Sequence, residues 1–276
     1  MNKVECNLCY HHCNLTENQI GICRGRINIG GKITAANYGR ITALALDHIE
    51  KKPLRHFYPN SKILSVGSFG CNLKCGFCQN NEISMAGMND LKTQYVTPES
   101  LIKIALDLKP EGNIGIAYTY NEPLIGYEFV MDCAKLAKEY DLKNAVVTNG
   151  CFCEEPMKEL LPYIDALNID LKGFTDKFYK NISGDLDTVK NFIKLAYKYS
   201  HIEITTLIIP EENDSEEEMI NLSKFLSSIN KDIPLHISRF FPCYNMMDKK
   251  PTDVDTVYKL ANIARMQLNY VYEGNV

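Results

Sequence analysis

From residue 62 onward, short runs rich in Val, Ile and Leu alternate with stretches of helical period, and that alternation restricts the chain more than anything else in it. The runs at 62–68, 113–120, 144–148, 166–171, 202–209 and 234–238 read as strands. Helices fit between them: Thr97-Pro98 starts one with proline at the first helical position, and Ser215-Glu216-Glu217-Glu218 starts another as a capping box. Six βα units in series predict an α/β fold with a parallel sheet, doubly wound or curled into a barrel. The 276-residue length suits one barrel-sized core, residues 61–276, with a small N-terminal Cys-rich module, residues 1–60. Within that module, Arg26-Ile-Asn-Ile and Lys32-Ile-Thr-Ala flank Gly30-Gly31 as the arms of a hairpin.

Hydrophobic residues make up 45% and charged residues 23%, with a net charge of −4, so disordered and broadly phosphate-binding classes lose support. No run of ~18 apolar residues could span a bilayer, and the start, Met1-Asn2-Lys3-Val4-Glu5, lacks the apolar region of a secretory leader. The expectation is a cytoplasmic protein with no membrane partner. Its eleven cysteines should then stay as free thiols or metal ligands rather than disulfides. Four fall at 6, 9, 13 and 23, three at 71, 75 and 78, and four at 133, 151, 153 and 243.

Cys71, Cys75 and Cys78 follow the first strand of the series, at the end of a parallel sheet where α/β folds place their chemistry. Three thiolates so close can wrap one metal centre. A four-iron cubane takes one thiolate per iron, so three would leave an iron open to a chelating small molecule. A zinc knuckle borrowing a fourth ligand is the plainer alternative. Walker and Rossmann glycine loops and a G-x-S-x-G elbow do not occur.

Strand parity adds polar candidates. In 166–172, Asn168, Asp170 and Lys172 share the face opposite Leu167, Ile169 and Leu171, and helices outside would turn that ladder inward. An inward Asp and Lys must pair with each other or meet a ligand. Thr148-Asn149-Gly150 ends the third strand with two hydrogen-bonding side chains, or is only a turn. Cys6, Cys9, Cys13 and Cys23 are four soft ligands, enough for a closed zinc site or a second iron–sulfur cluster, with His11 and His12 as surface residues or substitutes. Cys133 reads as packing. Cys151 and Cys153 are expected to flank a pocket mouth. The acidic stretch 211–218 reads as a helix N-terminus.

The spacing C-x3-C-x2-C, with Phe77 before the last cysteine, together with the N-terminal cysteine run, Thr119-Tyr-Asn-Glu-Pro123, Asp170-Leu-Lys172, Ile208-Ile-Pro210 and His236-Ile-Ser-Arg-Phe-Phe-Pro242, resembles the AmmeMemoRadiSam-system radical S-adenosylmethionine (SAM) enzymes, relatives of pyruvate formate-lyase activating enzymes. The resemblance spans nearly the whole chain. It implies a partial (β/α)6 TIM-type barrel, a [4Fe–4S] cluster on Cys71, Cys75 and Cys78, and reductive cleavage of SAM to a 5′-deoxyadenosyl radical that takes hydrogen from a substrate it does not name. Glu122 matches the acid that holds SAM's amino group, while Tyr120 and Asn121 stand where activating enzymes carry two glycines. The Asp170 to Lys172 segment would lie near SAM, and His236 would touch its ribose or carboxylate. Arg239 would pair with a carboxylate of SAM or substrate. The implied partners are a flavodoxin or ferredoxin as electron donor, and Memo-like and AMMECR1-like proteins. Such enzymes usually continue past the segment ending at Val276 into a Cys-containing tail, whose contacts would be missing here. Three alternatives stay open: an activating enzyme for a glycyl radical protein, a non-catalytic iron–sulfur or zinc electron-transfer module, and a zinc-dependent nucleic-acid binder, the last weakened by the acidic balance.

Overall fold

A computed structural model of the chain describes residues 2–276. Two-residue strands β1 (Val4–Glu5) and β2 (Asn14–Leu15) pair antiparallel, and β3 (Arg26–Ile29) and β4 (Lys32–Ala35) form the expected hairpin, with both turn glycines at positive φ. After β5 (Arg40–Ile41), β6 (Ala43–His48) runs antiparallel to β7 (Lys62–Gly67). The short helix α1 (Asn81–Ser84) and β8 (Gln94–Tyr95), which pairs with β5, precede the regular alternation. That alternation is α2 (Pro98–Asp107), β9 (Asn113–Tyr118), α3 (Tyr127–Glu139), β10 (Lys143–Thr148), α4 (Glu154–Leu160), β11 (Ala166–Asp170), α5 (Asp176–Asn181), α6 (Leu186–Ala196), β12 (His201–Ile208), α7 (Glu216–Ile229), β13 (Leu235–Arg239), α8 (Val254–Arg265) and β14 (Val271–Gly274).

The six strands read from the sequence are the six central strands, within two residues at each end. They form a TIM-barrel-like α/β sheet in the order β14-β13-β12-β11-β10-β9-β7-β6. All neighbours from β7 to β14 run parallel. Two strands were not anticipated. β14 adds a seventh parallel strand, and it carries only one buried residue, Val271, so it has no apolar run to betray it. β6 lies at an edge and has no fully buried side chain.

The helix starts follow their caps. Thr97 Oγ1 accepts from Ser100 N at 3.2 Å, and Ser215 Oγ accepts from Glu218 N at 3.2 Å, which satisfies amides that the first turn leaves free.

Residues 43–60, counted with the N-terminal module on sequence grounds, belong physically to the sheet. β6 extends it, and the segment after β6 fills its amino-terminal end. Ala117, Ala145 and Ala166 stand side by side on β9, β10 and β11 and leave room for Ile49, Leu54 and Phe57. Above them sits a polar layer. Glu203 on β12 has no exposed side-chain surface and accepts from the amides of Arg55 (3.0 Å) and His56 (2.7 Å), from His201 Nε2 (3.0 Å) and from His236 Nε2 (2.7 Å). Asn168 donates to Pro53 O at 2.9 Å and to Thr205 Oγ1 at 2.8 Å. The inward ladder on β11 is therefore real, and the 53–56 segment plugs the barrel-like floor.

Gly115 shows how closely β9 and β10 approach, because a Cβ there would lie 1.9 Å from Lys143 O. Neither strand can move aside within a paired sheet. Gly115→Ala is expected to destabilise the protein by about 3 kcal/mol or more in urea unfolding, at or above the upper range for overpacking; a loss under about 0.5 kcal/mol would contradict this register.

Candidate active site

The loop after β7 is built around Gly70, at φ +86°, where a Cβ would lie 2.5 Å from Cys23 O. Only glycine allows this approach. Cys71 N then donates to Cys23 O at 3.1 Å, and Lys74 N to Ile182 O at 2.8 Å. Cys71, Cys75 and Cys78 open together onto a cavity of about 280 Å³ at the carboxyl ends of the strands. Burial pushes the Cys71 thiol well above its ordinary range and Cys75 up to about 12, each raised further by a neighbouring thiol of the loop. As isolated thiols they are poor anions. A cationic centre binding all three would reverse that, and a soft thiolate donor set on one loop fits an iron–sulfur cluster.

The opposite wall is polar. Glu122, buried at the start of the turn after β9, accepts from Thr148 Oγ1 (2.8 Å), Asn149 N (2.7 Å) and Leu124 N (3.1 Å). Burial raises its carboxyl to about 7 against those donors. Among the described residues, no cation forms a salt bridge with it. Asp170 and Lys172 pair at 2.8 Å, as one sequence reading allowed, and both still line the cavity. Burial pushes Lys172 down, but the paired Asp170 carboxylate outweighs it and holds the ammonium charged.

The structure brings Phe77, Asn121, Glu122, Thr148, Asn149, Asp170 and Lys172 to the cavity with the three thiols. Asn121 is nevertheless spent on the loop itself: its amide donates to the carbonyls of Phe69, Gly70 and Glu122, all at 3.1 Å, and its oxygen accepts from Ser68 N. Asn149 donates to Asn72 Oδ1 at 2.8 Å and approaches Cys71 Sγ at 3.7 Å.

Two expected residues lie elsewhere. His236 sits at the amino-terminal end of β13, in the floor with Glu203. Arg239 donates to Thr252 O at 2.7 Å and lies over the Phe241 ring. Cys151 and Cys153 do not flank the mouth: Cys151 is buried, with its carbonyl taken by Asn72, and Cys153 N bonds Leu8 O. Tyr120, Thr205, Leu207 and Ser238 also line the cavity. The parity argument used on β11 would have found Thr205, Leu207 and Ser238 on the inward faces of β12 and β13.

Cys6, Cys9 and Cys23 are buried in the N-terminal segment, and Cys6 N donates to Cys13 O at 2.9 Å. Among the described residues, no three His, Cys, Asp or Glu side chains close on one point as a single-ion site does.

A sheet of parallel strands with a three-thiol loop at its carboxyl end and a polar cavity beside it is a site able to hold a thiolate-bound metal centre next to a polar ligand. The model of the Radical SAM superfamily matches residues 65–223, more than half of the chain. An uncharacterised protein of Methanocaldococcus jannaschii is 39% identical over 278 residues, covering 100% of this chain and 82% of its own. The pyruvate formate-lyase-activating enzyme of Clostridium pasteurianum is 28% identical over 203 residues, covering 71% of this chain and 82% of that enzyme. Among solved structures, Streptococcus suis SuiB superposes with a TM-score of 0.59 at 17% identity, over 76% of this chain and 48% of SuiB, and shares the fold.

The chain belongs to the radical SAM superfamily and is an enzyme of that class, related to activating enzymes. Membership implies a [4Fe–4S] cluster and SAM, with electrons commonly drawn from flavodoxin or ferredoxin. The non-catalytic reading of the cysteines gives way to it. No described helix is long and apolar enough to cross a membrane.

The raised carboxyl of Glu122 carries a pH signature. The folded state holds its proton more tightly than the unfolded chain, so its contribution to stability is complete below about pH 4.5 and is lost as pH rises to about 7. In the metal-free protein, Glu122→Gln should therefore gain stability relative to wild type across that window, by on the order of 3 kcal/mol in urea titrations at pH 4.5 and 8. A difference that stays flat with pH would refute the assignment. His236→Ala should lower stability by about 1–3 kcal/mol, because Glu203 loses one of its donors, while equilibrium dialysis finds SAM affinity unchanged; weaker SAM binding in a fully folded variant would return His236 to the cofactor site.

Proposed function

We propose that the sheet from β6 to β14 acts as a partial (β/α)6 barrel that binds SAM across a cluster held by Cys71, Cys75 and Cys78, and that an unidentified substrate enters the same cavity to lose a hydrogen atom. One observation carries this reading: three thiols of a single loop face a buried carboxylate that has neutral donors and no cation. When bound, the cluster and SAM supply an electron and a sulfonium whose reductive cleavage releases methionine and a 5′-deoxyadenosyl radical.

The chain's own residues bind and orient. Glu122 offers its carboxylate to the amino group of SAM, and Thr148 and Asn149 N fix that carboxylate in place. Lys172 presents an ammonium to the SAM carboxylate, with Asp170 holding it at the cavity wall. Phe77 shields the loop from below, its ring packed against Phe178 at 6.1 Å between centroids. Asn121 and Tyr120 take the place of a glycine pair: Asn121 braces the 68–70 backbone, and Tyr120 supplies a wall of the cavity, its hydroxyl held by Asp47 at 2.8 Å. The same reading gives the protein a cytoplasmic location and a flavodoxin or ferredoxin donor, and the family it resembles adds Memo-like and AMMECR1-like partners by association alone. A second reading, activation of a glycyl radical protein, is favoured by the likeness to the clostridial activating enzyme. The four N-terminal cysteines are read as a second metal site, for zinc or an iron–sulfur cluster.

Anaerobic reconstitution with iron and sulfide, reduction and addition of SAM is expected to yield 5′-deoxyadenosine and methionine, both lost when Cys71, Cys75 or Cys78 becomes Ala. Cleavage that survives all three substitutions would sink the assignment. Because Glu122 must lose its proton to pair with an ammonium, SAM binding should strengthen as pH rises through about 7. Glu122→Gln should bind SAM at least ~10-fold more weakly at pH 8 and lose that pH dependence, a difference of about 1.4 kcal/mol.

A further inference from the structure

We propose that the four N-terminal cysteines bind a thiophilic metal whose occupancy clamps the cluster loop in its binding conformation. This rests on reading Cys71, Cys75 and Cys78 as the cluster ligands, but it concerns a different group of thiols.

The N-terminal segment hands two polar atoms to consecutive residues of the cluster loop. Cys23 O accepts from Cys71 N at 3.1 Å, and His11 Nε2 bonds Asn72 O at 2.8 Å. Both contacts come from the cysteine-bearing stretches themselves, one from Cys23 and one from between Cys9 and Cys13. Asn72 is then fixed from its other side, its amide on Cys151 O at 2.9 Å and its oxygen on Asn149 at 2.8 Å. Whatever fixes the main chain at residues 9–13 and 23 therefore fixes the first turn of the cluster loop.

Secondary structure alone does not fix those stretches. β1 and β2 are two residues each, and 16–25 holds no helix or strand, only an isolated bridge at Ile20, turns that Gln19 N closes on Thr16 O and Arg24 N on Gly21 O, and main-chain bonds to Arg26 and Asn28. Cys6, Leu8, Cys9 and Cys23 pack into the main core, and a bound metal would tie these irregular stretches to one another as well. The thiols are gathered for one: Cys6, Cys9 and Cys23 are buried, Cys6 and Cys13 share a main-chain bond, and a Cβ on Gly21 would lie 3.8 Å from Cys13 Sγ. Cys71 N is bonded to Cys23 O, so a metal that holds Cys23 also holds the start of the cluster loop.

The full chain carrying Cys71→Ala, Cys75→Ala and Cys78→Ala isolates this site. Purified anaerobically, it should retain about one zinc, or about four irons with matching sulfide; elemental analysis separates the two sources, and a metal-free variant would overturn the proposal. Stripping that metal with a chelator should raise amide exchange in residues 70–74 at least ~10-fold by mass spectrometry, reversed on reloading. Unchanged exchange after the metal has left would show that the site does not clamp the loop. Neither readout needs catalysis. If SAM cleavage proves independent of Cys71, Cys75 and Cys78, the active-site reading fails while these two outcomes still stand or fall alone.

Discussion

The architecture turns on a carboxylate with no exposed surface. Glu203 lies on the inward face of a central strand, where isolated charge would be costly. Two main-chain amides from 55–56 and two imidazoles satisfy it, and burial is outweighed so far that its carboxyl falls to about 2. Because two of the donors belong to the segment after β6, satisfying Glu203 is also what fastens that segment across the floor. Below it lies the apolar layer of Ile49, Leu54 and Phe57; above it the interior stays polar up to the cavity. Sealing the bottom leaves ligands only the carboxyl-terminal end.

Two buried carboxylates thus sit at opposite ends of one interior with opposite properties. Glu203 meets imidazole and amide donors and stays ionised. Glu122 meets a hydroxyl and two amides, and burial wins, raising it to about 7. The difference marks which site is complete. The floor has its partners from the chain, whereas the upper carboxylate is poised near neutrality and would be stabilised as an anion by a cationic ligand. Lys172 is not that partner, since it forms no salt bridge with Glu122 and pairs instead with Asp170.

Much of this was legible in the residues. Apolar runs of strand length located the six central strands, and the period-two ladder at 168, 170 and 172 pointed the right side chains inward. His236 was misplaced for a physical reason: its motif neighbours Ser238 and Arg239 lie toward the carboxyl end of β13, but His236 is one layer lower, and its register against Thr205 puts it beside Glu203. Sequence spacing carries no information on depth within a sheet. Arg239 does not line the cavity: its Nε donates to Thr252 O, thirteen residues on, and its guanidinium lies over the Phe241 ring. β6 and β14 escaped notice because edge strands do not need an unbroken apolar run.

The cluster loop shows where motif and fold divide the labour. Residues 70–77 form no helix or strand, so their main-chain groups must find partners outside the loop or face water. Gly70 N bonds Ile83 O, Cys71 N bonds Cys23 O, Lys74 N bonds Ile182 O, Gly76 O accepts from Asn245 N, and Phe77 O accepts from Cys243 Sγ. These partners come from segments spread over the chain from residue 23 to residue 245. The three cysteines specify what can be ligated, but the path of the backbone between them is set by the N-terminal segment, the end of α5 and the loop after β13. A fragment holding only the matched residues 65–223 would keep the thiols and lose Cys23 and Asn245, and with them part of what aims the thiols at the cavity.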